Sequence, residues 1–254
     1  MLTIYSGDHR LHHGVELKDG AITPDGYAVN TIQSRFQPHS ASITDPAKLL
    51  PPQTMTTIGD RLSEKGVTWA WYSGGWDDAL AGHPDPTFQF HHQPFAYFAK
   101  YGDGTEEKAK HLKDEKAMMA DIAAGTLPAV TFYKPIGTDN EHPGYANVLT
   151  GDQHAAQIIQ AIEKSPSWSD TVIIVTYDEN GGLWDHVAPP KVNLWGPGTR
   201  IPAIIISPFA KRGFVDHTVY DTTSILKFIE TRHGLVPLTD RDAGAADLSN
   251  AFAF

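Results

Sequence analysis

The segments TVIIVTY (171–177) and IPAIIIS (201–207) constrain the fold of this chain more than any other feature. Each is an almost unbroken apolar run rich in β-branched side chains, so both faces of the strand that it forms are apolar. Strands buried on both faces are typical of the centre of a parallel sheet that helices cover on each side. The two segments therefore predict an α/β fold with a mostly parallel sheet.

Helical patterns alternate with strand patterns along the rest of the chain. Further strands are predicted at 67–73 and 129–135. Apolar spacing, capping residues such as Asp152 and terminal glycines predict helices at 54–66, 112–125, 152–165 and 221–234. The alternation predicts a three-layer sandwich in a single domain, 1–254, in which 1–53 form an irregular arm and 235–254 an irregular tail.

Charge and cysteine content exclude several classes of function. The 254 residues include 30 acidic and 20 basic side chains, and the net charge of -10 disfavours nucleic acid as the main partner because like charges repel. There are 0 cysteines, which excludes disulfides, thiolate metal sites and cysteine nucleophiles. No apolar run reaches the roughly 18 residues of a transmembrane helix, and the first residues show no signal-peptide pattern.

The sequence DENGG follows the strand predicted at 171–177 and brings two acids, Asp178 and Glu179, to its carboxyl end. Ligands of open α/β sheets bind beyond this end of the strands. The same residues suit a simple turn. However, adjacent acids beside a buried strand cost desolvation unless a cation or hydrogen-bond donors satisfy them. We therefore favour a site for a divalent metal ion over the turn alone.

Histidines supply the other candidate ligands, because a chain without cysteine builds a metal site from Asp, Glu and His. Among the 13 histidines, His91 and His92 lie in FHHQPF, and His142 lies in NEHPG after a predicted strand. A single histidine is more often structural than a ligand. Two such loops facing one pair of carboxylates would form a site, so we expect His142 and at least one of His91 and His92 near Asp178 and Glu179.

The neighbouring residues Asp185 and His186 allow two interpretations. The acid could orient the imidazole beside a metal site, or the pair could shape the loop that leads into Pro189 and Pro190. The sequence leaves both open. Motifs of other enzyme classes are absent, since the chain contains no Walker A loop, no GxGxxG and no GxSxG.

Several long segments resemble the bacterial phosphoesterase family, which comprises acid phosphatases and phosphatidylcholine-type phospholipases C with an alkaline-phosphatase-like fold. The segments include LPPQTMTTIGDRLSEKGVTWAWYSGGW, FHHQPFAYFAKY, LPAVTFYKPIGTDNEHPG, TVIIVTYDENGGLWDHVAPP and GPGTRIPAIIISPFAKRGFVDHTVYDTTSILKFIETRHGL. They lie between about Pro51 and Leu235, so the resemblance covers most of the chain. The residue patterns of these segments resemble the acid phosphatase branch more closely than the phospholipase branch.

The resemblance implies metal-assisted hydrolysis of a phosphomonoester, or of a phospholipid head group in the phospholipase branch, through a covalent phospho-enzyme. Asp178 and Glu179 match the metal-binding acids of the family's YDExGG motif. His142 matches the histidine of its EHP loop, and His91 and His92 match histidines near the phosphate. The resemblance also implies a divalent metal cofactor and a periplasmic or secreted location.

The chain departs from the family at its amino-terminal end. It contains neither the ENRSFDHYFG-like motif, which supplies two further metal ligands, nor the Ser or Thr nucleophile that follows it. Only Ser73 is even loosely eligible as a replacement. The chain thus resembles a carboxy-terminal portion, from a truncated gene model, a split gene or a decayed homologue, and a partner chain could supply the missing part. A non-catalytic remnant is the rival hypothesis to an enzyme.

Overall fold

A computed structural model describes residues 32–181, 183–192 and 197–253, together with the backbone of a short antiparallel hairpin. The hairpin pairs β1 (Leu11–His12) with β2 (Val15–Glu16). The described chain divides into two compact units that interleave in sequence. Unit 1 contains the described residues up to 55, 70–117 and 132–140, and unit 2 contains 56–69, 118–131 and the described residues from 141 onwards.

The main sheet has three strands, β3 (Trp69–Ser73), β4 (Leu112–Asp114) and β5 (Val130–Lys134), in the order β4-β3-β5. β3 and β4 are parallel, with Ser73 opposite Asp114. Backbone bonds from Val130 N to Thr68 O and from Gly74 N to Lys134 O follow the same order along both segments, so β5 is parallel to β3 as well. The predicted α/β fold with a mostly parallel sheet is therefore confirmed.

The four predicted helices are present, and their ends differ from the prediction. The helix predicted at 152–165 begins earlier, since the Asn147 side chain accepts a hydrogen bond from Thr150 N and caps it in place of Asp152. In the segment 112–125, the first three residues join the sheet as β4, and the helix follows. The helices are α1 (Ile58–Glu64), α2 (Trp76–Leu80), α3 (Glu106–His111), α4 (Glu115–Ala124), α5 (Val148–Glu163), α6 (Thr223–His233) and α7 (Asp240–Gly244).

The apolar segments 171–177 and 201–207 form β6 (Ile173–Thr176) and β7 (Ala203–Ile206). They pair with each other in antiparallel fashion, with Ile173 opposite Ile206, whereas each had been predicted as a buried parallel strand. Ile204 of β7 is 59% exposed. A β-branched apolar run predicts a strand and its burial, but it contains no information about strand direction, so the expectation of direction was wrong for this pair.

The segment predicted as an irregular tail contains α7 and a 3-10 turn, Leu248–Ala251. Phe252, which follows this turn, is buried and stacks on Phe228 of α6 with ring centroids 5.5 Å apart. Within the predicted arm, the residues from 32 onwards have a parallel bridge between Ser34 and Leu50; most of 1–31 lies outside the described residues. The single domain over 1–254 stays a prediction.

Glu230 of α6 is a buried acid beside a second acid of unit 2, Asp242, and the two are 3% and 2% exposed. Burial raises the pKa of Asp242, but hydrogen bonds from Thr239 and Leu238 outweigh it and hold that pKa below its usual value. Burial, followed by the neighbouring Asp242 carboxylate, raises the pKa of Glu230 to about 7. Glu230 therefore keeps its proton up to near-neutral pH, because its charged form would be buried beside the Asp242 carboxylate.

We expect Glu230→Gln to remove a pH-dependent loss of stability. The folded state holds the Glu230 proton more tightly than the unfolded chain, so folding free energy is lost as pH rises from about 4.5 towards 7. The neutral amide introduces no buried charge beside Asp242, and the variant should be more stable than wild type by about 1–2 kcal/mol at about pH 8, with little difference at about pH 5. Urea unfolding at both pH values measures this.

The matched control is Glu163→Gln, which changes an exposed glutamate at the end of α5. It should give the same difference from wild type at both pH values. Equal stability of Glu230→Gln and wild type at about pH 8 would contradict the assignment of a proton to Glu230.

Candidate functional site

The turn that contains Asp178 and Glu179 begins just beyond β6, in unit 2. β6 ends at Thr176, Tyr177 follows, and the Glu179 carboxylate accepts a hydrogen bond from Gly181 N at 2.7 Å. Both acids are exposed in the described structure. The two carboxylates therefore do not incur the desolvation cost that the sequence predicts for them. Their position beyond the carboxyl end of a strand agrees with the prediction.

The loop that contains His142 leaves unit 1 after the 3-10 turn Gly137–Asp139 and enters unit 2 at Glu141. The imidazole of His142 stacks on Tyr145, with ring centroids 4.6 Å apart and planes 12° from parallel. Its Nδ1 lies 2.7 Å from the carbonyl oxygen of Pro143. Since a carbonyl only accepts, Nδ1 carries the proton of the neutral ring and Nε2 carries the lone pair.

The His142 loop and the acidic turn lie side by side within unit 2. The hydroxyl of Tyr177, the residue before Asp178, donates a hydrogen bond to the Glu141 carboxylate. That bond is the main reason that the pKa of Tyr177 rises to about 12. On the other side of His142, the ring of Pro143 is in contact range of Gly181, since a β-carbon built on Gly181 would lie 3.4 Å from Pro143 Cδ. Sequence analysis missed Glu141 and Tyr177, whose only signal is that each precedes a motif residue.

His91 and His92 belong to unit 1 and lie in the 3-10 turn Phe90–His92. His92 is 4% exposed, and its Nδ1 lies 3.0 Å from the carbonyl oxygen of Pro135, directly after β5. Trp71 of β3 donates from its indole nitrogen to the His92 carbonyl at 2.7 Å. The rings of His91 and His92 meet edge to face, 4.8 Å apart. Thus His92 is fixed at the carboxyl end of the parallel sheet, with Nδ1 protonated in the neutral ring.

Ser73, the serine considered as a replacement nucleophile, is fully buried at the end of β3. Its hydroxyl has no hydrogen-bond partner among the residues that the structure describes. Its register partner Asp114 is buried as well and accepts from the backbone nitrogens of Asp77 at 3.0 Å and Lys116 at 2.8 Å. A fully buried hydroxyl cannot meet a substrate in this conformation, so Ser73 does not fit the part of an attacking group.

Asp185 forms a two-point ion pair with Arg200, whose Nη2 and Nε donate to its two oxygens at 2.8 and 3.0 Å. The backbone nitrogens of Val187 and Arg200 donate to the same carboxylate at 3.1 and 3.0 Å. The hydrogen bonds from Arg200 lower the pKa of Asp185 far below its usual value. His186 is exposed. These contacts favour the loop-shaping interpretation of Asp185 over orientation of His186.

The described residues do not by themselves form a metal site. Across 32–181, 183–192 and 197–253, no group of three or more His, Asp or Glu side chains is arranged to hold an ion. Asp178 and Glu179 provide two carboxylates on one exposed turn, and a stable site for a divalent metal takes four or more ligands. A metal at this turn would therefore need further ligands beyond those that the structure describes.

The described helices also bear on membrane insertion. None of those in the described part of the chain is long and apolar enough to cross a bilayer.

Comparison with curated proteins finds similar sequences that are named phospholipases C. A non-hemolytic phospholipase C of Pseudomonas aeruginosa is 28% identical over 241 residues, which cover 79% of this chain and 33% of that protein. Phospholipase C B of Mycobacterium tuberculosis is 27% identical over 230 residues, covering 77% of this chain and 42% of that protein. A non-specific phospholipase C6 of Arabidopsis thaliana is 30% identical over 159 residues, 50% of this chain and 30% of that protein. The chain spans less than half the length of these relatives.

Comparison with family models extends this similarity over nearly the whole sequence. The model of the Phosphoesterase family matches residues 14–236, which include both histidine loops and the acidic turn. The match agrees with the resemblance read from the motifs. The chain belongs to the Phosphoesterase family.

Proposed function

We propose that this chain is part of a metal-assisted hydrolase of phosphoric esters that acts on small phosphomonoesters. The observation that carries the proposal is the pairing of two loops in unit 2, one with His142 and the other with Asp178 and Glu179, beyond the carboxyl end of β6. The two loops bring together residue types that bind metal ions and phosphate, and the chain is a member of the Phosphoesterase family.

In this proposal the acids and the histidines have separate roles. Asp178 and Glu179 are two ligands of a divalent metal ion, and the remaining ligands and the nucleophile come from polypeptide outside these 254 residues, on the same or a partner chain. His91, His92 and His142 contact the phosphate. His92 and His142 have Nδ1 fixed on a backbone carbonyl, which leaves Nε2 for the phosphate. Nε2 donates to phosphoryl oxygens, or protonates the leaving oxygen, in the imidazolium form, in which both ring nitrogens carry a proton.

A phospholipase C activity of the same family is the second candidate. The observation that favours it is the name of the curated relatives, which are phospholipases C from bacteria and a plant. Its substrate would be a phospholipid, with the phosphate of the head group at the histidines. The motifs favour the acid phosphatase branch and the relatives favour the phospholipase branch, so a direct comparison of the two substrates separates the candidates.

The test compares para-nitrophenyl phosphate with phosphatidylcholine vesicles, using a protein in which this chain is joined to, or mixed with, polypeptide that carries the proposed nucleophile and the remaining metal ligands. The phosphatase proposal expects turnover of the monoester that falls by about a hundredfold in His142→Gln, the contribution of a proton-transferring group. Turnover of the vesicles alone would favour the phospholipase. No turnover of either, by a folded protein with added metal, would support the rival hypothesis of a non-catalytic remnant.

The resemblance supports a periplasmic or secreted location, and we extend the proposal to it. A tagged copy of the whole protein, expressed in its own host, should then fractionate outside the cytoplasm. Recovery in the cytoplasmic fraction alone would contradict this part of the proposal.

A further inference from the structure

Glu141, the residue before His142, has a backbone conformation that is unusual for its type. Its φ is 64°, a left-handed value that favours glycine. A side chain with a β-carbon is strained in this region and stays there only when its surroundings fix it. Such strain is concentrated at functional sites in known structures, and it persists only through the contacts that hold Glu141.

Two contacts hold the Glu141 side chain. The Tyr177 hydroxyl donates a hydrogen bond to its carboxylate. Gly151, buried in the first turns of α5, lies directly against the side chain, since a β-carbon built on Gly151 would lie 2.2 Å from Glu141 Cγ and 2.9 Å from Oε1. Only a glycine at 151 leaves room for Glu141 in this position.

These contacts link the His142 backbone to the acidic turn. Tyr177 directly precedes Asp178, and Glu141 directly precedes His142. A displacement of the Glu141 carboxylate would release φ of Glu141 from 64° and turn the peptide that enters His142. The bond from His142 Nδ1 to the Pro143 carbonyl depends on this local backbone.

We propose that Glu141 is a positioning residue for His142: held by Tyr177 and Gly151, it fixes the loop that sets the tautomer and direction of the imidazole. The role rests on the proposed function, in which His142 contacts the phosphate, but the geometry of the loop can be tested without turnover. The charge of Glu141 is not needed for this role, only an oxygen that accepts from the Tyr177 hydroxyl. This separates it from a metal ligand or a general base.

The test is the nitrogen-15 spectrum of the His142 ring in the 254-residue chain, recorded at about pH 8 where an ordinary imidazole is neutral. The His142→Gln variant identifies the signals. We expect one tautomer, with the proton on Nδ1, in wild type. Tyr177→Phe and Gly151→Ala, which disturb Glu141 through two separate contacts, should each give a mixture of both tautomers. Glu141→Gln, which keeps an accepting oxygen, should give the wild-type spectrum, and Glu141→Ala should give the mixture.

Tyr220→Phe is the matched control, because the Tyr220 hydroxyl also donates to a carboxylate, that of Asp216 at 2.8 Å, in unit 2. It should leave the His142 spectrum unchanged. A wild-type spectrum in both Tyr177→Phe and Gly151→Ala, or a mixture in Glu141→Gln, would overturn the positioning role. The proposed function fails on a different result, unchanged phosphoester turnover in His142→Gln. That result does not alter the expected His142 spectra, so the two failures can be told apart.

Discussion

Asp178→Asn should reduce phosphomonoester turnover by about a thousandfold or more in a protein that combines this chain with polypeptide carrying the proposed nucleophile and the remaining metal ligands. The substitution keeps the shape of the side chain and removes its negative charge. In the proposed site, Asp178 is a ligand of the divalent metal, whose stabilisation of charge in the transition state is worth several kcal/mol. The amide is a poor replacement for a carboxylate, because a hard divalent cation prefers charged oxygens.

The measurement is the initial rate with para-nitrophenyl phosphate at acidic pH, with and without added divalent metal. Asp170→Asn is the matched control, an identical change at an exposed aspartate in the 3-10 turn Trp168–Asp170. It should retain wild-type turnover. Retained turnover in Asp178→Asn would contradict the assignment of Asp178 as a metal ligand. The pairing of the two loops would then no longer support the proposed function.

The 254-residue chain alone should give only a trace rate in the same assay. Positioning of an activated nucleophile supplies much of the rate in such reactions, and the family motif that provides one is absent from this sequence. Ser73 does not replace it, since it is buried at the end of β3. Strong metal-dependent turnover by this chain, lost in Asp178→Asn, would mean that a nucleophile among these residues had been overlooked.

The fold could be predicted to the level of its elements because local sequence patterns determine them. The strands at 69–73, 130–134, 173–176 and 203–206 all lie inside predicted segments. Pairing could not be predicted, because β6 and β7 join in antiparallel fashion through contacts between residues about thirty apart in sequence. The same limit applies to β4, which forms because residues 112–114 pair with β3, in a segment whose local pattern is helical.

The candidate site was predictable only in its motif residues. His142, Asp178 and Glu179 could be identified because their types and their places after strands are visible in the sequence. Glu141, Tyr177 and Gly151 could not, since their contacts depend on backbone angles and on a loop that returns to α5. The exposure of Asp178 and Glu179 was also unexpected, because a pattern of buried strand residues does not report what covers the residues that follow.

Gly137→Ala should destabilise the chain by about 3 kcal/mol, at the upper end of the range for overpacking in a closed site. A β-carbon at this buried position would lie 2.0 Å from the carbonyl oxygen of Thr87 and 2.9 Å from its Cβ. The nearest atom belongs to the backbone, so no side-chain rotation can relieve the clash, and either the loop after β5 or the segment around Thr87 must move.

The displaced loop includes Pro135, whose carbonyl holds His92 Nδ1, so Gly137→Ala should also disturb the His92 ring. Urea unfolding measures the stability, and the nitrogen-15 signals of His92 measure the second effect. Gly244→Ala is the control, because a β-carbon there meets nothing within 4 Å and its φ is not positive; it should leave stability unchanged or slightly raised. A Gly137→Ala variant as stable as wild type would show that the loop after β5 yields easily, and a rigid support for His92 would then have to come from Trp71 and the sheet.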